Sequence, residues 1–283
     1  MKFEKWQALG NDYLIFESEA LRWELTPERV GLICEPHFGV GADGILLLSK
    51  PADPAHVADL RIFNPDGSEA ELSGNGAREA VLYLRRSGWT DADEFTIGTA
   101  AGPITPTIVD QRTCALKLGR ASTTSEDYPS GPVDGRGELE SAGRTWAFQH
   151  VSIGNPQCAI AVEDADELED LDLAEIGPAI ESSELFPNRS NVSFYRVEDG
   201  GSRVRARIFE RGVGETLSSG TGASGAAVAA RLAGAPSPLT VALDGGELSV
   251  DVSDELEVRL TGWAEPVCAG DLSPELLRAL SEL

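Results

Sequence analysis

Two stretches of the chain are nearly the same: RIFNPDGSEAELSGNGA at 61–77 and RIFERGVGETLSSGTGA at 207–223. Arg61, Ile62, Phe63, Glu69, Ser73, Gly74, Gly76, Ala77 and Ala80 recur as Arg207, Ile208, Phe209, Glu215, Ser219, Gly220, Gly222, Ala223 and Ala226, every pair at the same offset and without a gap. A weaker echo pairs GND at 10–12 with GNP at 154–156. One supersecondary unit encoded twice, half a chain apart, constrains the fold to two related domains, because a solenoid needs three or more short repeats. The 283 residues are enough to give each domain a core.

Within each copy the pattern is strand, turn, helix. ADLRIF and RVRARIF alternate polar and apolar residues as half-buried strands do. In the first predicted helix Ala77, Ala80, Val81 and Leu84 form one apolar stripe. The second, GASGAAVAARLAG, is small or apolar nearly all round and so must be buried on most sides. Further strand candidates are DYLIFE, GILLLS, PITPTIV, CALKLG, QCAIAV, VSFYRV, LTVAL, LSVDV and LEVRL. Strands outnumber helices and the alternation of a doubly wound sheet is missing, which predicts an α+β fold. The Pro/Gly/Ser-rich stretches 121–137 and 233–238 read as surface loops, the first as a domain junction. The expected division is 1–120, completed by 264–283, and 121–263.

Composition excludes several classes. Hydrophobic content of 41% against 25% charged residues is that of a soluble globular protein, and no apolar run reaches the length that spans a bilayer. The amino terminus MKFEKWQALGNDYLIFE lacks the unbroken apolar core of a signal peptide, so a cytoplasmic protein is expected. Cys34, Cys114, Cys158 and Cys268 are scattered with no CxxC pair, which argues against a disulfide framework and against a zinc site. The net charge of -24 repels nucleic acid and anionic membrane and fits work in concentrated salt, a halophilic cytosol.

A serine followed by Gly-x-Gly at a helix start sets free backbone N–H groups and the positive end of a helix dipole beside one hydroxyl. Such an arrangement binds anions. One copy alone reads as an ordinary capped helix start; two matching copies point to two helix N-termini holding one carboxylate, with a serine on either side of the carbon beside it. Gly220, Gly222 and Gly225 also satisfy GxGxxG, but the preceding strand stops ten residues early and the first copy lacks the third glycine.

ALGNDYLIFE, CEPHFGVGADGILLL, RIFNPDGSEAELSGNGAR, SIGNPQCAI, FPNRSNVSF and ERGVGETLSSGTGA together resemble, in order and spacing, the motif series of the diaminopimelate epimerase family, from about residue 3 to residue 263. The resemblance implies two similar domains, each a mixed sheet wrapped around a central helix, with the active site in the cleft between them. It implies a cofactor-independent inversion of one α-carbon of L,L-2,6-diaminopimelate to the meso isomer for lysine or cell-wall synthesis, with no PLP and no metal. The partner is then a small amino-acid substrate, and a homodimer stays open. Carried over by position, Asn11, Asn64, Asn155, Asn191, Glu210 and Arg211 form the polar pocket, and Gly74, Asn75, Gly220 and Thr221 hold the carboxylate through their backbone.

The family's two catalytic cysteine positions are here Ser73 and Ser219, and its usual GNPH reads GNPQ, with Gln157 in place of histidine. A thiol has a pKa of about 8.5, whereas a serine hydroxyl is inert as a base unless another group activates it. His37, His56 and His150 are not obvious substitutes; Glu69 and Glu215, four residues before each serine, fit either an activating role or a turn-stabilising one. Three readings follow: an epimerase of this type using serine, another cofactor-independent isomerase acting on a different small carboxylate, and a binding paralogue that keeps the pocket without the chemistry.

Overall fold

A computed structural model describes Met1–Leu283, the Asp199 side chain aside. The chain divides into two units, Met1–Leu116 with Gly262–Leu283, and Lys117–Thr261. The first carries β1 (Lys2–Ala8), β2 (Asn11–Glu17), α1 (Pro27–Cys34), β3 (Ile45–Ser49), β4 (Asp59–Phe63), β5 (Glu69–Ala70), α2 (Gly74–Arg86) and β6 (Thr107–Ile108). The chain leaves this unit inside β7 (Thr113–Arg120). The second unit holds β8 (Arg136–Ser141), β9 (Arg144–Ser152), β10 (Pro156–Ala161), α3 (Ala165–Asp170), α4 (Leu173–Glu181), β11 (Asn191–Glu198), β12 (Arg203–Glu210), β13 (Gly214–Thr216), α5 (Gly220–Leu232), β14 (Leu239–Leu243) and β15 (Gly246–Val252). It returns inside β16 (Glu257–Trp263) to β17 (Glu265–Asp271) and α6 (Pro274–Ser281).

The first unit's sheet runs in the order β17-β1-β2-β3-β4-β5, with β2 parallel to β3 and the other pairs antiparallel. Both of its faces are covered, which explains why DYLIFE and GILLLS are apolar runs instead of alternating ones. Tyr13, Ile15, Leu46 and Leu48 turn toward the cluster around α2, while Leu14, Phe16, Ile45 and Leu47 turn toward the cluster of α1 and α6. Each such leucine or isoleucine, taken fully out of water, contributes about 1.5–3 kcal/mol. In the second unit the strands follow the order β8-β9-β10-β11-β12-β14-β15-β16, with β13 on the edge of β12, and they surround α5. The architecture is the α+β one expected, mixed sheets about a central helix in each unit.

The repeated segment folds alike in its two settings, with the hairpin one pair longer in the second. The β4–β5 ladder pairs Ile62 with Ala70 and Phe63 with Glu69; the β12–β13 ladder pairs Ile208 with Thr216 and Phe209 with Glu215. Both helices have 13 residues, and both begin at the glycine after the serine. The stripe read from the sequence understates the first helix, because every residue of α2 from Asn75 to Leu84 is buried, Arg78 and Glu79 included. The segment 121–137 belongs wholly to the second unit, and Tyr128 within it is buried against Phe148 and Phe186.

Close helix–strand approach is where glycine is required. A Cβ on Gly222 would stand 2.9 Å from Ile208 Cγ2 of β12. Gly222→Ala is therefore expected to destabilise the second unit by about 1–3 kcal/mol through overpacking, read as a lowered urea midpoint with unchanged slope; an unchanged midpoint would mean that β12 yields without cost.

Candidate active site

Ser73 and Ser219 occupy the N-cap positions of α2 and α5. Their backbones are extended in the same way, at φ -128°, ψ 124° and φ -141°, ψ 123°. Each Oγ accepts the N–H three residues on, Gly76 at 3.1 Å and Gly222 at 3.2 Å. Such a cap is worth about 1 kcal/mol, and it leaves the N–H groups of Gly74 and Asn75, and of Gly220 and Thr221, outside the helical ladder as first-turn donors.

Around this shared frame the two half-sites differ. In the first, the Tyr13 hydroxyl donates to Ser73 Oγ at 3.3 Å. Asn75 donates to Asn11 Oδ1 at 3.1 Å and accepts from Arg78 at 2.6 Å, while Asn11 donates to Asp43 at 2.8 Å. Arg78 also donates to Gly74 O, so a fully buried guanidinium braces the first turn of α2. Asn64 lies in the β4–β5 turn and donates to Ser68 Oγ.

In the second half-site Ser219 is 4% exposed and its hydroxyl donates to Glu210 Oε2 at 3.0 Å. Burial raises the Glu210 carboxyl above its usual range, opposed by hydrogen bonding from Thr216 and Ser219. Gln157 donates to Asn155 Oδ1 at 2.7 Å, and Asn155 donates to Thr221 Oγ1 at 3.2 Å, a chain that orients the first turn of α5. Asn191 donates to Pro156 O and accepts the Arg211 N–H, fixing the loop after β12; the exposed Arg211 side chain donates to Asn188 O.

Glu69 and Glu215 are not activators. Glu69 makes a two-point ion pair with Arg61, and Glu215 receives both Arg207 Nε and its terminal nitrogen, so each carboxylate ties together the hairpin that delivers the serine. The carboxylate that the Ser219 hydroxyl meets is Glu210, a residue of the substrate pocket in the sequence analysis. Tyr13 went unremarked within the GNDY motif, although its place two residues after Asn11 was a usable signal. His150 is buried, its pKa lowered by desolvation, with Nε2 on Ser125 Oγ. Burial pushes the Cys34 and Cys114 thiols up to about 12, and raises that of Cys158 as well. Among the described residues no cluster of three His, Cys, Asp or Glu could hold a metal ion, and no helix is long and apolar enough to cross a membrane.

Two mixed sheets, each about a central helix, are the fold of a solved hydroxyproline epimerase from Agrobacterium vitis, which aligns over 98% of this chain and 93% of its own with a TM-score of 0.66 at 17% identity. A sequence profile for diaminopimelate epimerase matches residues 3–124 and 149–265. Diaminopimelate epimerase 2 of Nostoc sp. is 39% identical over 282 residues, covering 98% of this chain and 97% of the relative. The diaminopimelate epimerase of a Synechococcus sp. is also 39% identical, over 95% and 97%. The chain belongs to the diaminopimelate epimerase family.

Proposed function

We propose that this protein epimerises L,L-2,6-diaminopimelate to the meso isomer, with Ser73 and Ser219 as the two proton-transfer groups. The observation that carries the reading is the Ser219 hydroxyl on the Glu210 carboxylate, because it supplies what a serine lacks, a base to receive its proton. The first-turn amides of α2 and α5, from Gly74, Asn75, Gly220 and Thr221, hold the α-carboxylate. They also stabilise charge that develops on it as the α-proton leaves, which is why no cofactor is invoked as an electron sink. Asn11, Asn64, Asn155, Asn191, Glu210 and Arg211 surround the substrate, Asn191 and Arg211 by shaping the loop. Identity of 39% to named diaminopimelate epimerases over nearly the whole chain supports this substrate over another small carboxylate.

The setting proposed is a salt-rich cytoplasm, on the net charge of -24, without nucleic acid or membrane as partner. Lysine biosynthesis is the corresponding end use.

In deuterium oxide the protein is expected to place deuterium at one α-carbon of L,L-diaminopimelate and to form the meso isomer. No exchange and no binding would remove the substrate assignment. Glu210→Gln is expected to slow exchange on the order of a hundredfold. The wild-type rate is expected to rise with pH as the Glu210 carboxyl ionises, since only the carboxylate receives a proton, with an inflection above the usual carboxylate range. A flat profile across that range would exclude Glu210 as the base.

A further inference from the structure

The two serines sit in twin caps, yet their hydrogen bonds exhaust different parts of the hydroxyl. A serine oxygen has one proton to give and two lone pairs. Ser73 Oγ accepts from Gly76 N–H and from the Tyr13 hydroxyl, so both lone pairs are engaged and its own proton is what it has left to offer. Ser219 Oγ accepts from Gly222 N–H and donates to Glu210, so its proton is engaged and one lone pair is left.

The internal repeat shows where this difference arose. The GND/GNP echo places Tyr13 opposite Gln157, and the longer repeat places Asn64 opposite Glu210. Each unit therefore carries one titratable partner for its serine, but at opposite members of the two position pairs. The amides at the remaining positions bond elsewhere, Asn64 to Ser68 and Gln157 to Asn155.

Tyr13 is also held for the task. Its ring is 6% exposed and lies over Gly44, where an added Cβ would stand 2.7 Å from Tyr13 Cε1 and 2.3 Å from Phe63 O. The ring thus occupies space that any larger residue at 44 would claim, which fixes its hydroxyl on Ser73.

We infer that Tyr13 is the positioning residue that makes Ser73 the acid of the pair, donating to its oxygen and passing it a proton, while Glu210 makes Ser219 the base. This rests on the epimerase reading above. When the α-proton faces Ser219, Ser219 Oγ takes it as the Ser219 proton passes to the Glu210 carboxylate. On the opposite face Ser73 gives its proton to the carbon as the Tyr13 phenol gives its proton to Ser73. A phenol is a far stronger acid than an aliphatic hydroxyl, so it can replace the proton that Ser73 gives up. The step leaves a carboxylic acid at Glu210 and a phenolate at Tyr13; water takes the first proton and returns one to the second, and nothing is oxidised or reduced.

The test compares exchange with inversion, starting separately from L,L- and meso-diaminopimelate in deuterium oxide, for wild type, Tyr13→Phe and Glu210→Gln. Tyr13→Phe keeps the ring and removes only the hydroxyl. Its inversion rate is expected to fall on the order of ten- to a hundredfold with KM within about twofold, because the lost group acts on proton transfer and not on binding. For the isomer whose proton faces Ser219, deuterium still enters with configuration retained, so the ratio of exchange to inversion rises about tenfold or more. For the other isomer exchange and inversion fall together. Glu210→Gln reverses that assignment. A parallel fall of exchange and inversion for both isomers in Tyr13→Phe, or no change, would overturn the inference. If wild type exchanges neither isomer, the substrate reading fails instead. Tyr13 then remains testable by its phenolate absorbance, taken as the difference from Tyr13→Phe: its titration is expected to shift in Ser73→Ala, and an unmoved titration would refute the pairing.

Discussion

Replacing Ser73 and Ser219 together by cysteine is expected to raise the rate of α-proton exchange of L,L-diaminopimelate on the order of a hundred- to ten-thousand-fold, with KM little changed. The magnitude is that of a well-matched acid and base compared with poorly matched ones. A thiol ionises near pH 8.5, and a helix N-terminus lowers that value, whereas a hydroxyl stays protonated and works only as fast as its partner can take or supply a proton. The cap geometry is the same for both side chains, since Oγ and Sγ leave the same Cβ and the backbone at both caps is already extended. The buried cysteines do not provide this chemistry, because burial pushes the Cys34 and Cys114 thiols up to about 12 and raises that of Cys158 as well. The single variants divide the gain. Ser219→Cys relieves the dependence on Glu210, and Glu210→Gln should then cost less than it does in the serine protein. A double variant no faster than wild type would show that Tyr13 and Glu210 already bring the hydroxyls to the efficiency of thiols.

Half of this is legible in the repeat alone. Nine matched residues announced the strand, hairpin and helix of each unit, and Ser73 and Ser219 appear as the caps their neighbours implied. What stayed hidden was long-range pairing. Glu69 and Glu215 looked available because a sequence places them four residues from each serine, but the antiparallel ladder puts Arg61 and Arg207 in contact with them instead. Glu210 and Tyr13 are 9 and 60 residues from the serines they hydrogen-bond, and only the β12–β13 hairpin and the β2–β3 sheet bring them near. Paired strands such as β8 and β9 were also missed, because RGELES and RTWAFQHVS carry too many polar residues to stand out as apolar runs. Periodicity understated α2 for the opposite reason: the stripe of Ala77, Ala80, Val81 and Leu84 leaves out Arg78 and Glu79, and both are fully buried.

That buried pair leads to the second large effect, in stability. Glu79 is fully buried, with its carboxyl beside Arg78 and the Tyr13 backbone N–H. Burial drives its carboxyl well above the usual carboxylate range; Arg78 pulls it back, and Asp12 and Asp43 push it further up. The folded protein therefore keeps a proton that the unfolded chain gives up in the ordinary range. Below that range both states hold the proton and nothing is lost. As pH rises through it, the unfolded chain ionises first and gains stability relative to the fold, by about 1.4 kcal/mol per pH unit, until the folded carboxyl ionises too. Glu79→Gln keeps the shape and removes the titration. Measured by urea unfolding at a series of pH values, the variant is expected to equal wild type to within about 1 kcal/mol at the acid end. Its advantage should then grow at about that slope toward neutrality. Taking the difference between the two proteins cancels the other carboxylates of a chain with net charge -24, whose own titrations are common to both. A difference that stays flat with pH would show that Glu79 is ionised in the fold. The stake for function is α2 itself, because the helix that buries Glu79 carries Ser73 at its N-cap.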